Sequence, residues 1–393
     1  MDILIIAENI GLTAPGIVYE RLISGLSKHH DIDVLTTTFN GDHKICNNIY
    51  IQEYNKLRSN RVNYHVDRLQ IGLISVNIFD VLWAKKAKTK ITKRYDIIFS
   101  FISFSHYLSL VAGYEIAKNG SKLLIYSVDA IPPPSGWLSD SFLINGTNKM
   151  LKKYFSSADA FFSSNEAMLN YQLRKFNFKW NLISGVIYTP GPNKEFNLPY
   201  DKIKNPVFLY TGGIYGPRKP SYLLNAFKKI LKLYPKAKLE FIGTKIDEIH
   251  FENFTLEERN HIIFHPFTKD LRSYYERSTA LIDIDADLPY DVFLSSKITN
   301  YIYVNRIIIS ETGLKSPSRR IFKDIPSIFQ CNHNEVEIKH AMIKAIDVCK
   351  SMNYDDRENI KKMFDIKTIV DRLNIELKKL QIPRNKKDES FNC

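Results

Sequence analysis

Short apolar runs alternate with amphipathic segments along the whole chain. Residues 2–7 consist of one aspartate followed by a continuous apolar run. Such a run is typical of a strand buried on both faces of a parallel sheet. A loop with Gly11, Pro15 and Gly16 follows, then a helical pattern over 18–26 and a second apolar run at 31–36. This order predicts a βαβ unit. Further strands are predicted at 96–101, 122–128 and 160–164, with a helix over 108–118.

The same alternation restarts near Pro206. Strands are predicted at 207–211, 238–242, 262–265, 280–285, 306–310 and 327–330. The clearest helix follows Pro220, and its apolar residues recur at helical spacing from Leu223 to Tyr234. A proline-containing stretch at 189–199 separates the two halves. The pattern therefore predicts two α/β domains in tandem, with ligands at the carboxyl ends of the strands and in the cleft between the domains.

The composition excludes several classes of protein. The chain has 393 residues, 44% hydrophobic and 25% charged, and a net charge of +13. Residues 1–200 contain 22 Lys+Arg and 16 Asp+Glu, which leaves 33 and 26 for the rest, so the halves carry +6 and +7. Without a concentrated basic region or a known module, a nucleic-acid-binding protein is the weaker alternative, and we expect no nucleic-acid partner. The four cysteines are far apart and predict neither disulfides nor zinc, which favours a cytoplasmic location.

Residues 210–220 are the most informative loop. The loop follows a buried strand and opens a helix, where backbone amides attract phosphate, although it matches neither a Walker A loop nor GxGxxG. Arg218 and Lys219 stand at the helix start and oppose its dipole, which indicates that an anion binds there. The alternative is a glycine-rich turn with solvated cations.

A second stretch, 293–301, has the same character. Ser295 or Ser296 can cap a helix whose first turn carries Lys297. Asn300 lies one turn further on the same face. The alternative interpretation is an ordinary amphipathic helix with an exposed lysine.

These stretches resemble glycosyltransferase family 4, the "glycosyl transferases group 1" enzymes. The resemblance covers the second half of the chain, in order and at the family's spacing, through 208–213, 218–220, 222–227, 239–243, 294–301 and 306–313. The first half resembles the family more loosely, at Pro15-Gly16 and at 95–100 before His106.

The resemblance implies a GT-B fold, in which two Rossmann-like domains have parallel sheets facing a central cleft. Residues 1–190 would bind the acceptor and 191–365 the nucleotide-sugar. A helix at 366–382 would return to the first domain, and 383–393 would be a disordered tail. The implied activity is retaining transfer of a sugar, of hexosyl or N-acetylhexosaminyl type, from a nucleoside diphosphate donor to a saccharide acceptor. That acceptor would be lipid-linked and the pathway surface polysaccharide assembly, such as lipopolysaccharide or capsule. A nucleotide-sugar epimerase or hydrolase of the same fold is the alternative.

The resemblance also implies roles for particular residues. Gly213, Arg218 and Lys219 would face the donor diphosphate, Ser296 and Lys297 the phosphates or the sugar, and the amides of Thr312 and Gly313 the phosphate. Asn300 stands where the family has the glutamate that holds the ribose, and Ile214 where it commonly has an arginine. On the acceptor side we expect Gly16, and as catalytic residues His106 and Asp129, with a structural histidine as the alternative for His106.

Three alternating acids, Asp283, Asp285 and Asp287, share one face of a strand end. An EF-hand loop would need glycine at 288 and glutamate at 294, and both positions are leucine. Enzymes of the family are generally metal-independent. We therefore expect no metal and no cofactor, and assign the acids to sugar hydroxyls or to solvent.

The run 83–94 contains six cations and no acid. Phe79, Val81 and Leu82 precede it, so the segment is able to lie on an anionic membrane surface. A solvated helix face is the alternative.

Overall fold

The computed structural model describes residues 1–54, 60–104, 107–137, 140–179, 181–201, 203–288 and 290–381. The chain divides into two units. The first contains Met1–Pro133, Asp140–Pro190 and the chain from Ile366 onward, and the second contains Pro134–Ser139 and Gly191–Asp365. The predicted tail at 383–393 lies outside the described residues.

The first unit is built on a seven-stranded sheet in which every neighbouring pair is parallel. Its strands are β1 (Asp2–Ile10), β2 (Asp31–Phe39), β3 (Asn48–Ile51), β4 (Ile97–Ile102), β5 (Lys122–Ser127), β6 (Ala160–Ser163) and β7 (Ile183–Val186), in the order β3-β2-β1-β4-β5-β6-β7. Its helices are α1 (Ala14–Leu26), α2 (Asn60–Ile74), α3 (Ile78–Lys90), α4 (Leu108–Ala117), α5 (Ser141–Phe155), α6 (Glu166–Lys175) and α14 (Ile366–Gln381). The last of these packs against α1, where Val370 and Ile366 lie over Gly25.

The second unit repeats the plan with a six-stranded parallel sheet. Its strands are β8 (Val207–Thr211), β9 (Lys238–Ile242), β10 (Ile262–His265), β11 (Ala280–Ile284), β12 (Ile307–Glu311) and β13 (Ile328–Cys331), in the order β10-β9-β8-β11-β12-β13. Its helices are α7 (Ser221–Leu231), α8 (Leu256–Arg259), α9 (Arg272–Arg277), α10 (Ser296–Tyr301), α11 (Pro317–Ile321), α12 (Glu335–Val348) and α13 (Glu358–Phe364).

Burial explains why these segments become strands and helices. In β1, Ile3 to Ala7 are fully buried, as expected for a central strand covered on both faces. In α7, Leu223, Phe227 and Ile230 are fully buried, and each contributes about 1.5–3 kcal/mol of hydrophobic free energy. The prediction of two α/β domains, each with a parallel sheet, is confirmed.

Two details differ from the sequence-based expectation. The edge strands β3 and β7 are not predicted, because each has four residues and only one of these eight side chains is buried, so neither has a long apolar run. Helix α1 begins at Ala14, which places Gly16 in its first turn rather than in the preceding loop. Among the described helices, none is long and apolar enough to cross a membrane.

Candidate functional site

The predicted donor site is built at the carboxyl edge of the second sheet. Strands β8, β11 and β12 are neighbours in that sheet, so the loops that follow them begin side by side. In the loop after β8, Gly212 has φ +88° and Gly216 has φ +64°. Residues other than glycine rarely adopt this backbone conformation. The Tyr210 hydroxyl donates to the Gly213 carbonyl at 2.9 Å, which fixes the loop over the end of its own strand.

Arg218 lies between two aromatic rings. Its guanidinium carbon is 5.3 Å from the ring centroid of Trp137 and 4.8 Å from that of Tyr215, distances typical of cation–π contacts. Trp137 comes from the short segment that belongs to the second unit. The Nε and Nη1 atoms of Arg218 are buried, and neither has a hydrogen-bond partner in the described part of the chain.

Lys219, the adjacent cation, has a different environment. Its side chain is 55% exposed, and its Nζ forms an ion pair with Asp287 Oδ2 at 2.7 Å. Of the two cations that the sequence analysis treats alike, Arg218 is the one with buried donors that lack a partner in the described ranges.

Lys297 lies beside the same loop. A Cβ on Gly212 would be 3.3 Å from Lys297 Cε, and Lys297 Nζ is 5.2 Å from the centroid of the Tyr210 ring. Burial and the positive charge of Arg218 lower the pKa of Lys297 to about 8, because both disfavour the charged ammonium. The structure thus brings two mutually repelling cations, Arg218 and Lys297, to one loop.

Helix α10 holds Lys297 in place. Ser295 is the N-cap residue, with its hydroxyl accepting from Lys297 N at 3.3 Å and donating to Asp283 Oδ1 at 2.6 Å. The sequence analysis named Ser295 and Ser296 as alternative N-cap residues, and in the structure the N-cap is Ser295. The Asn300 amide donates to the Ser296 carbonyl at 2.7 Å, so one of its donors is engaged within the helix.

The three alternating acids have three different partners. Asp283 accepts from Ser295, Asp285 Oδ2 accepts from the hydroxyls of Thr312 at 2.8 Å and Ser316 at 2.6 Å, and Asp287 pairs with Lys219. Burial, with the nearby Asp285 charge, raises the pKa of Asp283 to about 6. Within the described ranges, no group of His, Cys, Asp and Glu side chains is arranged to hold a metal ion.

The loop after β12 is tied into the protein. The Thr312 N–H donates to the Cys331 carbonyl at 2.8 Å, and its hydroxyl donates to Asp285. The Gly313 carbonyl accepts from Ser316 N at 3.1 Å. The Thr312 amide, expected near phosphate, is therefore engaged in the connection between β12 and β13.

Sequence reasoning missed a buried acid–histidine pair next to this loop. Glu311, the last residue of β12, is 1% exposed, and its Oε1 lies 2.9 Å from His333 Nδ1. Burial raises the pKa of Glu311 to about 7. Burial alone would lower the pKa of His333, but the hydrogen bond and charge of Glu311 outweigh it and raise that pKa. An acid at the end of a buried strand was the available signal for Glu311.

Asp291 was also missed. It lies in the loop after β11, is 3% exposed, and accepts from Phe293 N at 3.1 Å. Burial and the neighbouring Asp285 charge raise the pKa of Asp291 to about 7. Two carboxyl groups with raised pKa values, those of Asp283 and Asp291, therefore lie at or after the carboxyl end of β11. The sequence analysis identified only the first of them.

In the first unit, the structure places two of the three predicted residues. Asp129 follows β5, and its Oδ2 accepts from Phe104 N at 3.0 Å. The Gly16 N–H donates to Thr13 Oγ1 at 3.2 Å, and a Cβ there would lie 2.3 Å from Asn9 Oδ1, so glycine is favoured at position 16. His106 lies outside the described residues.

Comparisons with known proteins give a clear result for the fold. No family model matches the chain, and a search of curated protein sequences finds no match. Among solved structures, Anabaena HepE in complex with UDP and glucose is similar with a TM-score of 0.68 at 11% identity, over 96% of this chain and 99% of that chain. Sucrose-phosphate synthase from Thermosynechococcus elongatus gives 0.68 at 14%, over 96% and 98%. The lipopolysaccharide outer core galactosyltransferase WaaB in its apo form gives 0.59 at 14%, over 96% and 99%.

These structural similarities establish the GT-B fold. The prediction of a GT-B fold is therefore confirmed. Membership of glycosyltransferase family 4 stays a prediction. A structure described as a putative UDP-N-acetylglucosamine 2-epimerase from Listeria monocytogenes is also similar, with a lower TM-score of 0.51 at 10% identity.

Proposed function

We propose that the chain is a glycosyltransferase whose nucleoside diphosphate donor binds with its diphosphate between Arg218 and Lys297. One observation carries this proposal: two cations lie together at the end of β8, where burial and then the charge of Arg218 lower the pKa of Lys297. Arg218 also has buried donors without partners among the described residues. A bound diphosphate would relieve the repulsion and accept hydrogen bonds from both side chains.

The same arrangement suits the chemistry of transfer. When the sugar leaves the donor, negative charge develops on the departing diphosphate. Fixed cations in a partly buried site stabilise that charge without reorganisation in the transition state. We assign this role to Arg218 and Lys297. We further propose that Asn300 contacts the ribose and that the backbone of Gly213 lies against the phosphate. Lys219, Ser296, Thr312 and Gly313 are secondary candidates for donor contacts.

The finer assignment rests on resemblance. We propose retaining transfer to a saccharide acceptor that is lipid-linked, within surface polysaccharide assembly, with His106 and Asp129 as catalytic residues and Gly16 on the acceptor side. A GT-B neighbour described as a lipopolysaccharide galactosyltransferase supports this direction, and HepE complexes with UDP and glucose support a nucleotide-sugar donor. No metal or cofactor is included, so chelation with EDTA is expected to leave turnover unchanged.

Product analysis tests the proposal and separates it from its alternative. The purified chain is incubated with UDP-, GDP- and dTDP-sugars, with and without a saccharide acceptor. Acceptor-dependent appearance of a glycoside supports transfer. An epimerised sugar formed without acceptor supports the epimerase, the activity by which the neighbour with the lower TM-score is described. Free sugar formed without acceptor supports the hydrolase.

Three variants tie the activity to the site. Arg218→Met and Lys297→Met are expected to reduce donor turnover by about a hundredfold, since charge-assisted hydrogen bonds contribute about 1.5–3 kcal/mol each. Lys238→Met is the matched control, because this exposed lysine lies at the amino end of β9, on the opposite edge of the same sheet. Equal turnover in all three variants would refute the placement of the diphosphate.

A further inference from the structure

An apolar surface lies on α2 and α3 in the first unit. Five side chains define it, and we call it the α2–α3 apolar edge: Leu69, Leu73, Ile74, Ile78 and Leu82, with 51%, 71%, 57%, 43% and 50% exposure. Of the eleven exposed large hydrophobic residues described in this unit, seven lie between Val62 and Leu82. Concentrated exposure of this kind marks an interaction site, whereas single exposed leucines do not.

Packing on the opposite sides fixes the outward direction of both helices. Helix α2 packs against α5, where Gly72 lies under the Phe142 ring and a Cβ on Gly146 would be 2.1 Å from the Ile71 carbonyl oxygen. Helix α3 buries Trp83, Ala84 and Ala87. The apolar edge is therefore the side that each helix cannot bury within its own unit.

Hydrogen bonds join the two helices at their junction. The Ile78 N–H donates to Gln70 Oε1 at 2.8 Å, and the Asn77 amide donates to Asp67 Oδ1 at 3.3 Å. These contacts place the start of α3 beside the last turns of α2. The end of α2 and the start of α3, which carry the exposed leucines and isoleucines, are therefore adjacent.

Cations continue this edge along α3. Lys85 and Lys86 are exposed one turn after Leu82, and Lys90 follows one turn later. Residues 62–94 contain seven Lys+Arg and two Asp+Glu. One of those acids, Asp80, is 2% exposed and accepts from the Tyr54 hydroxyl at 3.1 Å, so it does not offset the surface charge.

The sequence-based interpretation is refined by this geometry. Phe79 and Val81, named there as apolar neighbours of the basic run, are only partly exposed, and Val81 packs against the core. Leu82 is the one member of that trio on the outer face. Its apolar companions come from the end of α2, which the sequence analysis did not connect with the lysines.

We propose that the α2–α3 apolar edge inserts into the surface of an anionic lipid bilayer, with the lysines of α3 at the level of the headgroups. Exposed aliphatic side chains beside long basic side chains match the layered chemistry of such a surface, which is apolar below and anionic above. Pairing of this edge with a second copy of itself would bring the basic residues of both copies together. Charge complementarity therefore favours the anionic lipid.

Vesicle flotation tests the proposal with the full chain. The probes are vesicles of phosphatidylcholine alone and of phosphatidylcholine mixed with phosphatidylglycerol. We expect binding to the mixed vesicles, weakened by added salt as surface electrostatics requires. Leu73→Ser/Ile74→Ser and Lys85→Gln/Lys86→Gln should each lower the partition coefficient by about tenfold or more. Leu256→Ser is the control, because this residue is 78% exposed in the second unit.

Three outcomes would overturn the proposal. They are equal binding to both vesicle types, binding unchanged in both double variants, and a dimer in light scattering that Leu73→Ser/Ile74→Ser dissolves. All the changed side chains are exposed, and circular dichroism confirms that each variant is folded. The assay needs no donor or acceptor, so its result is separate from that of the glycosyltransferase proposal.

Discussion

Two arginines in the second unit, Arg357 and Arg218, have opposite environments. Arg357 is fully buried, and it donates to the carbonyls of Val304 and Arg306 at 2.8 Å and of Ser327 at 3.0 Å, as well as to the Ser327 hydroxyl. Arg218 is half-buried, its guanidinium lies against two aromatic rings, and its buried Nε and Nη1 have no partner in the described residues. The difference indicates that Arg357 holds the fold together and that Arg218 is placed for a ligand.

This contrast follows from the cost of burying polar groups. A buried charged donor without a partner is unfavourable, so an arginine that serves only stability is surrounded by acceptors, as Arg357 is. Arg218 is held by cation–π contacts and by Tyr215, which leave its Nε and Nη1 without a partner in the described residues. Such a side chain destabilises the free protein and is retained where binding an anion compensates.

The largest expected effect is on stability, from Arg357→Met. The change removes three charge-assisted hydrogen bonds to the carbonyls of Val304, Arg306 and Ser327, and bonds of this kind contribute about 1.5–3 kcal/mol each. We expect the free energy of unfolding, measured by urea denaturation, to fall by about 3 kcal/mol or more. Unchanged stability would contradict the structural role of Arg357.

Arg218→Met should show the reverse pattern. Loss of the cation–π contacts and of the hydrogen bond with Tyr215 is offset by removal of two buried donors that have no partner in the described residues, so the free energy of unfolding should change by less than about 1 kcal/mol. The affinity for UDP, measured by calorimetry, should fall by about a hundredfold because charge-assisted hydrogen bonds to phosphate are removed. A large loss of stability without loss of affinity would make Arg218 a structural residue.

Lys297 gives a pH dependence of about tenfold. Its pKa is about 8 in the free protein, and a bound diphosphate raises it by favouring the ammonium. Protonated protein therefore binds better, and the affinity for UDP should fall by about tenfold between pH 7 and pH 9. Lys297→Arg keeps the charge and should abolish this dependence, so a slope that persists in that variant would place the titrating group elsewhere.

The smallest effect concerns Asp283. Its pKa of about 6 in the folded protein lies above the value of about 3.9 for an unfolded aspartate, so the folded state holds the extra proton between these values. Stability attributable to this group is therefore present below about pH 4 and is lost as the pH rises through 6. Asp283→Asn should be more stable than the parent at pH 7, and this advantage should disappear as the pH falls to 4, in paired urea titrations.

The sequence predicted the central elements well because their signal is local. Strands β8 and β9 form over the ranges that their apolar runs predict, and Pro220 stands at the start of α7 as expected. Edge strands such as β3 have no such run, since one face of each contributes little to the core. Their pairing is decided by neighbouring strands rather than by their own residues.

The candidate site was predictable in part. Cations opposed to helix dipoles pointed to Arg218 and Lys297, and the cap of α10 followed from its serines. The division of roles between Arg218 and Lys219 was not predictable, because it depends on Trp137 and Asp287, which are 81 and 68 residues away in the chain. The pair formed by Glu311 and His333 depends likewise on two adjacent strand ends.

The most direct test of the account compares UDP with uridine in one calorimetric experiment, using the parent chain, Arg218→Met/Lys297→Met and the Lys238→Met control. If the diphosphate binds between Arg218 and Lys297, UDP binds the parent and the control at least about a hundredfold more tightly than uridine. In the double variant that difference is expected to collapse to less than about tenfold. An equal preference for UDP in all three proteins, or no preference in the parent, would contradict the account.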